Sequence, residues 1–311
     1  MKLIAAIVLT LACAAPAAAA GPSALGALYS SSMLPGLRLR ASDIPMPAAP
    51  ARADNGASVG GQLFAASSRF LGLPYVLGPL GEGADGEFDR DPLVSYKGLD
   101  CTTFVEQTMA FALGRDTDDA LNILRHIRYR RGRVAYEERN HFTEADWLPG
   151  NISDGFLRDI TAEVAGPAAR SVSKIISKRA WYAKKTEADL AGFDWETAAG
   201  RAARAARLRA LGANIPDQRA VLNYVPLEDL PRLLGAIPHG TVVSLVREDR
   251  ADKPTLVSHQ FFIFDGPRGK IVRHAAQGKQ VLDVDAAQYI AGLSGSAWRV
   301  LGFNLAEVQP E

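Results

Sequence analysis

The last third of this 311-residue chain changes from helical spacing of apolar residues to period-two spacing, and this change constrains the fold more than any other feature. Helical spacing is found in residues 58–71, 100–114 and 117–128. Five later segments are rich in β-branched and aromatic residues and are joined by short turns: 241–247, 255–265, 270–275, 279–284 and 298–305. Helices followed by such strands predict an α+β fold with a largely antiparallel sheet.

The first 55 residues differ from the rest of the chain. Residues 1–20 have a basic start, an apolar run too short to cross a bilayer and a small-residue end, which predicts a secretory signal peptide and export to the periplasm or cell wall. A lipid anchor at Cys13, and hence a membrane tether, is the weaker alternative. Residues 21–55 are rich in Ala, Pro and Ser and predict a flexible lead-in, so the folded domain is expected at 56–311.

Charge excludes one class of partner. The chain has 35 basic and 34 acidic side chains, a formal net charge of +1, so nothing in the balance indicates a nucleic-acid partner. Basic residues concentrate in 166–223, which is expected to be a helical insertion. Its run 201–213 is interpreted as a solvated helix face, with a cradle for an anionic polymer or a membrane surface as the alternative.

Cys101 is the single cysteine left once a signal peptide is removed. A lone thiol in an oxidising compartment is an oxidation liability, so its presence needs a reason. Asp100 is a good helix N-cap, which places Cys101 in the first helical turn, where free amides and the helix dipole favour a thiolate. Cys101 is therefore either a small buried apolar residue or a nucleophile.

His259 and His274 lie on two strands joined by the turn DGPRGK. A four-residue loop over residues 266–269 would pair Asp265 with Lys270 and align Phe261 with His274. Because side chains alternate along a strand, His259 and His274 then share a face and one imidazole can orient the other. A register slip of one residue would send His274 to the opposite face.

These residues resemble a known family. Cys101 in GLDCTTFVEQ, the segments FLGLPY, IRYRRGRVAYEERNHF and DWLPGN, and VSHQFFIF with RHA are similar to the NlpC-type cell-wall cysteine hydrolases, and most similar to their N-acetylmuramoyl-L-alanine amidase-like branch. The resemblance covers about residues 70–305. Phe261, Ala276, Gln277 and Phe142 depart from its pattern.

The resemblance implies a papain-like α+β fold and a peptidoglycan substrate. It implies catalysis by Cys101, His259 and His274 without a cofactor, and cleavage between muramic acid and L-alanine. Tyr75 is a possible second oxyanion donor, with a core role equally open. Further substrate contacts are expected from Arg128, Arg139, His141, Asp146, Trp147 and Asn151, although Trp147 is also a good core residue and the arginines of 127–133 are also typical of a solvated surface.

Three other interpretations remain open. A stem-peptide endopeptidase would use the same chemistry at another bond. A zinc hydrolase would use His141, His259 and His274, but their spacings are long and no HExxH-type pair is present. A non-catalytic wall-binding protein would keep the fold without turnover.

Overall fold

The computed structural model describes residues 58–310, which form an α+β domain. The predicted signal peptide, Cys13 and the predicted lead-in at 21–55 lie outside the described residues. Within residues 58–310, every helix is too short or too polar to cross a membrane.

The described helices are α1 (Val59–Ser68), α2 (Cys101–Leu113), α3 (Thr117–Arg128), α4 (Leu148–Ser153), α5 (Thr161–Ala165), α6 (Lys178–Ala183), α7 (Ala198–Leu211), α8 (Leu230–Leu233) and α9 (Ala286–Gly292). The strands are β1 (Leu157–Asp159), β2 (Arg170–Ile176), β3 (Gln218–Pro226), β4 (Thr241–Arg247), β5 (Val257–Gly266), β6 (Gly269–Ala275), β7 (Val281–Asp285) and β8 (Val300–Val308). The predicted α+β class is confirmed, and α2, α3 and β4 lie where the spacing predicts them.

The strands form one antiparallel sheet in the order β2-β3-β8-β4-β5-β6-β7, with β1 paired to the end of β8. The sheet is covered on both faces, as the alternation along β5 shows. Phe262 contacts Phe104 of α2 edge to face, with ring centroids 5.8 Å apart. Phe261 and Ile263 point to the other face, into the apolar cluster that contains Ile290 of α9. Helix α2 is therefore central, and residues 103–113 are all buried.

The prediction that residues 166–223 are helical is wrong at both ends. Strand β2 pairs with β3 over seven residues, from Arg170 opposite Tyr224 to Ile176 opposite Gln218. Helices α6 and α7 lie between these two strands in the sequence. RSVSKII contains three β-branched residues, Val172, Ile175 and Ile176, but they do not alternate and are interrupted by Ser and Lys, because only Ile176 of β2 is buried.

The arginines of α7 are engaged within the domain. Arg201, Arg204 and Arg207 pair with Glu187, Glu196 and Glu87, and Arg209 donates to the Lys185 carbonyl at 3.0 Å. The arginines of this basic run therefore stabilise the packing of α7 through ion pairs, and they do not form an unpaired cationic surface.

Candidate active site

Cys101 is the first residue of α2, and a capping box fixes this end of the helix. The Asp100 carboxylate accepts from the Thr103 backbone N–H at 2.8 Å, and Thr103 Oγ1 accepts from the Asp100 N–H at 3.0 Å. The second carboxylate oxygen of Asp100 accepts from the Gly78 N–H at 3.0 Å. The predicted N-cap is confirmed, and it also ties a neighbouring loop to the cysteine.

His259 and His274 form a direct hydrogen bond. His259 Nε2 lies 2.8 Å from His274 Nδ1, with ring centroids 5.1 Å apart and planes at 77°. The predicted register is confirmed, since Asp265 pairs with Lys270 and the ladder runs to Phe262 opposite Arg273. Because His274 uses Nε2 of His259, the nitrogen that remains for another partner is Nδ1.

A β-bulge in β5 occurs at His259. Along β4, Ser244 pairs with Gln260 and Val246 pairs with Val257, so β5 carries one more residue than β4 over this interval. Bulges bend a strand and redirect a side chain, and they are frequent beside active sites. The bulge therefore sets the direction of the His259 ring, which still contacts Phe261 on the same face at a centroid distance of 5.7 Å.

The sulfur of Cys101 lies against β5 next to His259. The backbone N–H of Gln260, the residue after His259, lies close enough to the sulfur to lower the pKa of the thiol, and the Thr102 hydroxyl lies 4.0 Å from the sulfur. The side chain is partly exposed, so it is not a sealed core residue. The tertiary structure thus places the cysteine beside the residue that follows His259, near the end of the β5–β6 ladder at Phe262 and Arg273.

At Cys101, burial opposes the effect that the helix start is expected to have on the thiol. Burial raises the pKa of the Cys101 thiol to about 11, and the charge of Asp100 acts in the same direction. The donors at the sulfur oppose this shift but are outweighed. Burial also lowers the pKa of His259 to about 3 and that of His274 to about 4. These shifts all favour the neutral forms of the three groups.

Tyr75 lies at the same site. It is partly exposed, and burial together with the charges of Cys101 and Asp100 raises the pKa of its hydroxyl to about 12. Backbone pairing of Tyr75 with Leu99 and its N–H donation to the Lys279 carbonyl at 2.9 Å hold it in place. A neutral phenol that keeps its proton beside a thiol is suited to donate a hydrogen bond to developing negative charge.

Two residues at the site were missed by sequence reasoning. The Tyr289 ring of α9 contacts His274 at 5.3 Å and Phe261 at 5.1 Å between centroids. Arg247, the last residue of β4, lies close enough to His259 for its charge to lower the pKa of that imidazole. Only the strand order, which places β4 beside β5, brings Arg247 here; the local sequence gives no signal for it.

Arg128, Trp147 and Asn151, three of the predicted substrate contacts, are instead buried and hydrogen-bonded within the domain. Arg128 donates to Glu106 at 2.7 Å and to the Leu93 carbonyl at 2.7 Å, and Trp147 Nε1 donates to Glu106 at 3.1 Å. Asn151 donates to two backbone carbonyls. All three side chains are at most 1 % exposed, so they cannot touch a substrate and their role is structural.

Arg139, His141 and Asp146 line a different cavity of about 300 Å³. Asp146 pairs with Lys178, His141 Nε2 lies 2.8 Å from the Tyr136 carbonyl, and Arg139 donates to Asp89 at 3.1 Å. Cys101, His259 and His274 are not among the residues that line this cavity. The predicted cluster exists, but the structure separates it from the histidine pair.

This separation bears on the zinc interpretation. His141 contacts Tyr136 and Trp181, both at 4.7 Å between ring centroids, whereas His259 contacts His274. Among residues 58–310, no group of three or more His, Cys, Asp or Glu side chains is arranged to hold a metal ion. The three histidines that the zinc interpretation requires therefore do not form one site.

Comparison with known proteins identifies the family of this chain. A family model described as AmiA-like, N-acetylmuramoyl-L-alanine amidase-like, matches residues 65–295. A crystal structure of a protein from Legionella pneumophila str. Philadelphia 1 is similar, with a TM-score of 0.78 and 28% identity over 83% of this chain and 91% of that chain.

An N-acetylmuramoyl-L-alanine amidase from Bacteroides uniformis ATCC 8492 shares the fold, with a TM-score of 0.59 and 21% identity over 81% of this chain and 100% of that chain. The family match covers more than half of the sequence. The chain therefore belongs to the N-acetylmuramoyl-L-alanine amidase-like family, which supports a hydrolase with a peptidoglycan amidase-like function.

Proposed function

We propose that this protein is an exported, cysteine-dependent peptidoglycan amidase of the papain-like, NlpC-type superfamily, which cleaves between N-acetylmuramic acid and L-alanine. One observation carries the proposal: Cys101, at a helix start, lies beside Gln260, the strand residue after His259, and His259 Nε2 is hydrogen-bonded to His274 at 2.8 Å. A nucleophile, a base and an orienting group in this order constitute the arrangement that acyl transfer requires.

The first step is attack of Cys101 Sγ on the amide carbonyl carbon. Burial penalises a lone thiolate or a lone imidazolium, so the thiol proton moves to His259 Nδ1 as the S–C bond forms. His274 keeps His259 in the required tautomer by accepting from Nε2–H. The backbone N–H of Cys101 and the Tyr75 hydroxyl donate to the carbonyl oxygen as it becomes negative.

The second half of the reaction returns the proton. His259 gives it to the departing amine as the C–N bond breaks, which leaves an acyl group on the sulfur. Water then attacks this thioester, with His259 again accepting a proton, and the carboxylic acid and free thiol are released.

Substitution of the cysteine tests the nucleophile. The purified full-length protein is incubated with intact sacculi, and released fragments are analysed by mass spectrometry. Wild type and the control Cys13→Ala should release fragments, whereas Cys101→Ala should release none. Turnover by Cys101→Ala would contradict the proposal, and binding of sacculi by wild type without release would favour a wall-binding protein.

Two further readouts separate the alternatives. Fragments that carry a free alanine amino group beside intact sugar identify the amidase, whereas shortened stems identify the endopeptidase. Activity that survives EDTA but is lost to iodoacetamide supports the cysteine, and the reverse pattern supports a metal hydrolase. Export is supported by residues 1–20 and is tested by fractionation of cells that express the full-length chain.

A further inference from the structure

Arg247 is held rigidly beside the histidine pair. Its Nε donates to Ser258 Oγ at 2.8 Å, and Ser258 is the residue before His259. Its Nη1 donates to the Trp298 carbonyl, and the guanidinium carbon lies 5.4 Å from the centroid of the Trp298 ring. These contacts fix the plane of the guanidinium at the end of β4.

Arg247 has no carboxylate partner among residues 58–310. Three other arginines with little exposure pair with acids: Arg128 with Glu106 at 2.7 Å, Arg139 with Asp89 at 3.1 Å and Arg273 with Asp283 at 2.6 Å. Arg90 and Arg125 resemble Arg247 in exposure and also lack an ion pair among residues 58–310, but the arginine charge that acts on His259 is that of Arg247. Arg247 is partly buried, and burial lowers its pKa with only Tyr289 opposing the shift. A guanidinium that is partly withdrawn from water, has no acidic partner among residues 58–310 and lies beside a candidate active site needs an explanation.

Unused donors remain on this guanidinium. It has five N–H bonds, of which Ser258 and the Trp298 carbonyl each take one, so Nη2 and one N–H of Nη1 are available. A guanidinium with two adjacent free donors matches the two oxygens of a carboxylate. The Trp298 ring, at 5.4 Å, adds a cation–π contact that helps to hold the guanidinium in place.

We infer that Arg247 binds a carboxylate of the stem peptide and thereby selects substrates in which this group is not amidated. The inference rests on the proposed function, because that function brings the peptide to His259. Carboxylate binding at Arg247 would also affect catalysis. The charge of Arg247 disfavours the imidazolium form of His259, and a bound carboxylate offsets this charge, so it makes protonation of His259 during the reaction easier.

A matched substrate pair tests the inference. The probes are N-acetylmuramoyl-L-alanyl-D-glutamate and its amide, N-acetylmuramoyl-L-alanyl-D-isoglutamine, which differ in one carboxyl group. Wild type should cleave the acid with a kcat/KM about 10- to 100-fold higher than the amide, as expected for one charge-assisted pair. Arg247→Gln should lose this preference mainly through a higher KM for the acid, and Arg247→Lys should keep part of it.

Arg232→Gln is the control, because Arg232 is an exposed arginine of α8 paired with Asp229 and its loss removes the same charge. It should behave as wild type. If Arg247→Gln lowers kcat/KM equally for both substrates, or if wild type does not discriminate between them, the inference is refuted while the proposed function stands.

A binding measurement keeps the two claims separable. Cys101→Ala is titrated with both probes by calorimetry, and Cys101→Ala/Arg247→Gln serves as the comparison. Tighter binding of the acid that depends on Arg247 supports the carboxylate site even if wild type cleaves neither probe, in which case the proposed function fails alone. Equal binding of acid and amide refutes the carboxylate site.

Discussion

The protonation state of Cys101 before substrate binds gives the sharpest prediction. With a thiol pKa of about 11, only about one sulfur in 10,000 is a thiolate at pH 7. Because iodoacetamide reacts with the thiolate, the alkylation rate should rise about tenfold per pH unit from pH 6 to pH 10. At pH 7 it should be about 300-fold below that of a free cysteine with a pKa of about 8.5.

The assay is pseudo-first-order alkylation followed by mass spectrometry of the peptide that contains Cys101, which separates it from Cys13. N-acetylcysteine is the reference thiol. His259→Ala should show the same profile as wild type, because a neutral His259 does not stabilise the resting thiolate. A rate that is constant from pH 5 to pH 8 and becomes pH-dependent in His259→Ala would show a preformed ion pair and refute the reasoning.

Two further predictions concern the histidine pair, and a third concerns a buried carboxyl group near Arg139. His274→Ala should lower kcat about 10- to 100-fold by removing the 2.8 Å acceptor that orients His259, with partial recovery in His274→Gln and a folded protein by circular dichroism. On the acid side, kcat/KM should fall to half its maximum near pH 4. Below that pH, His274 is protonated and donates to His259 Nε2, so the proton of His259 moves to Nδ1 and His259 can no longer act as the base. Half-maximal activity near pH 6.5 would contradict this. Burial beside Asp89 raises the pKa of Glu82 to about 8, so its contribution to stability is full below its unfolded pKa of about 4.5 and is lost as pH rises through 8. Denaturant unfolding at pH 6 and pH 9 should therefore show a loss of about 2 to 3 kcal/mol that is absent in Glu82→Gln.

The histidine pair shows how far sequence reasoning reaches. The turn between β5 and β6 fixed which residues face each other, and period-two alternation then placed both rings on one face. The bulge at His259 was not predictable, because it depends on how β4, 16 residues earlier at Ser244, pairs with Gln260. Arg247 and Tyr289 were missed for the same reason: they reach the site through strand order and helix packing.

Among the predicted substrate contacts, three residues were wrongly assigned to the site. Arg128, Trp147 and Asn151 lie in segments that resemble the family, and the resemblance identifies a neighbourhood without giving the direction of each side chain. Glu106 on the central helix provides an acceptor for both Arg128 and Trp147, and this buried network turns them away from solvent.

The sequence alone determined the α+β class, the ends of α2 and α3, the cap at Asp100 and the shared face of His259 and His274, since each depends on residues close together in the chain. Only the tertiary structure decided which charges are paired, which groups are neutral and which side chains reach the sulfur. Burial and charge depend on contacts between distant segments, and those contacts raise the pKa of the thiol above what its position at the helix start favours.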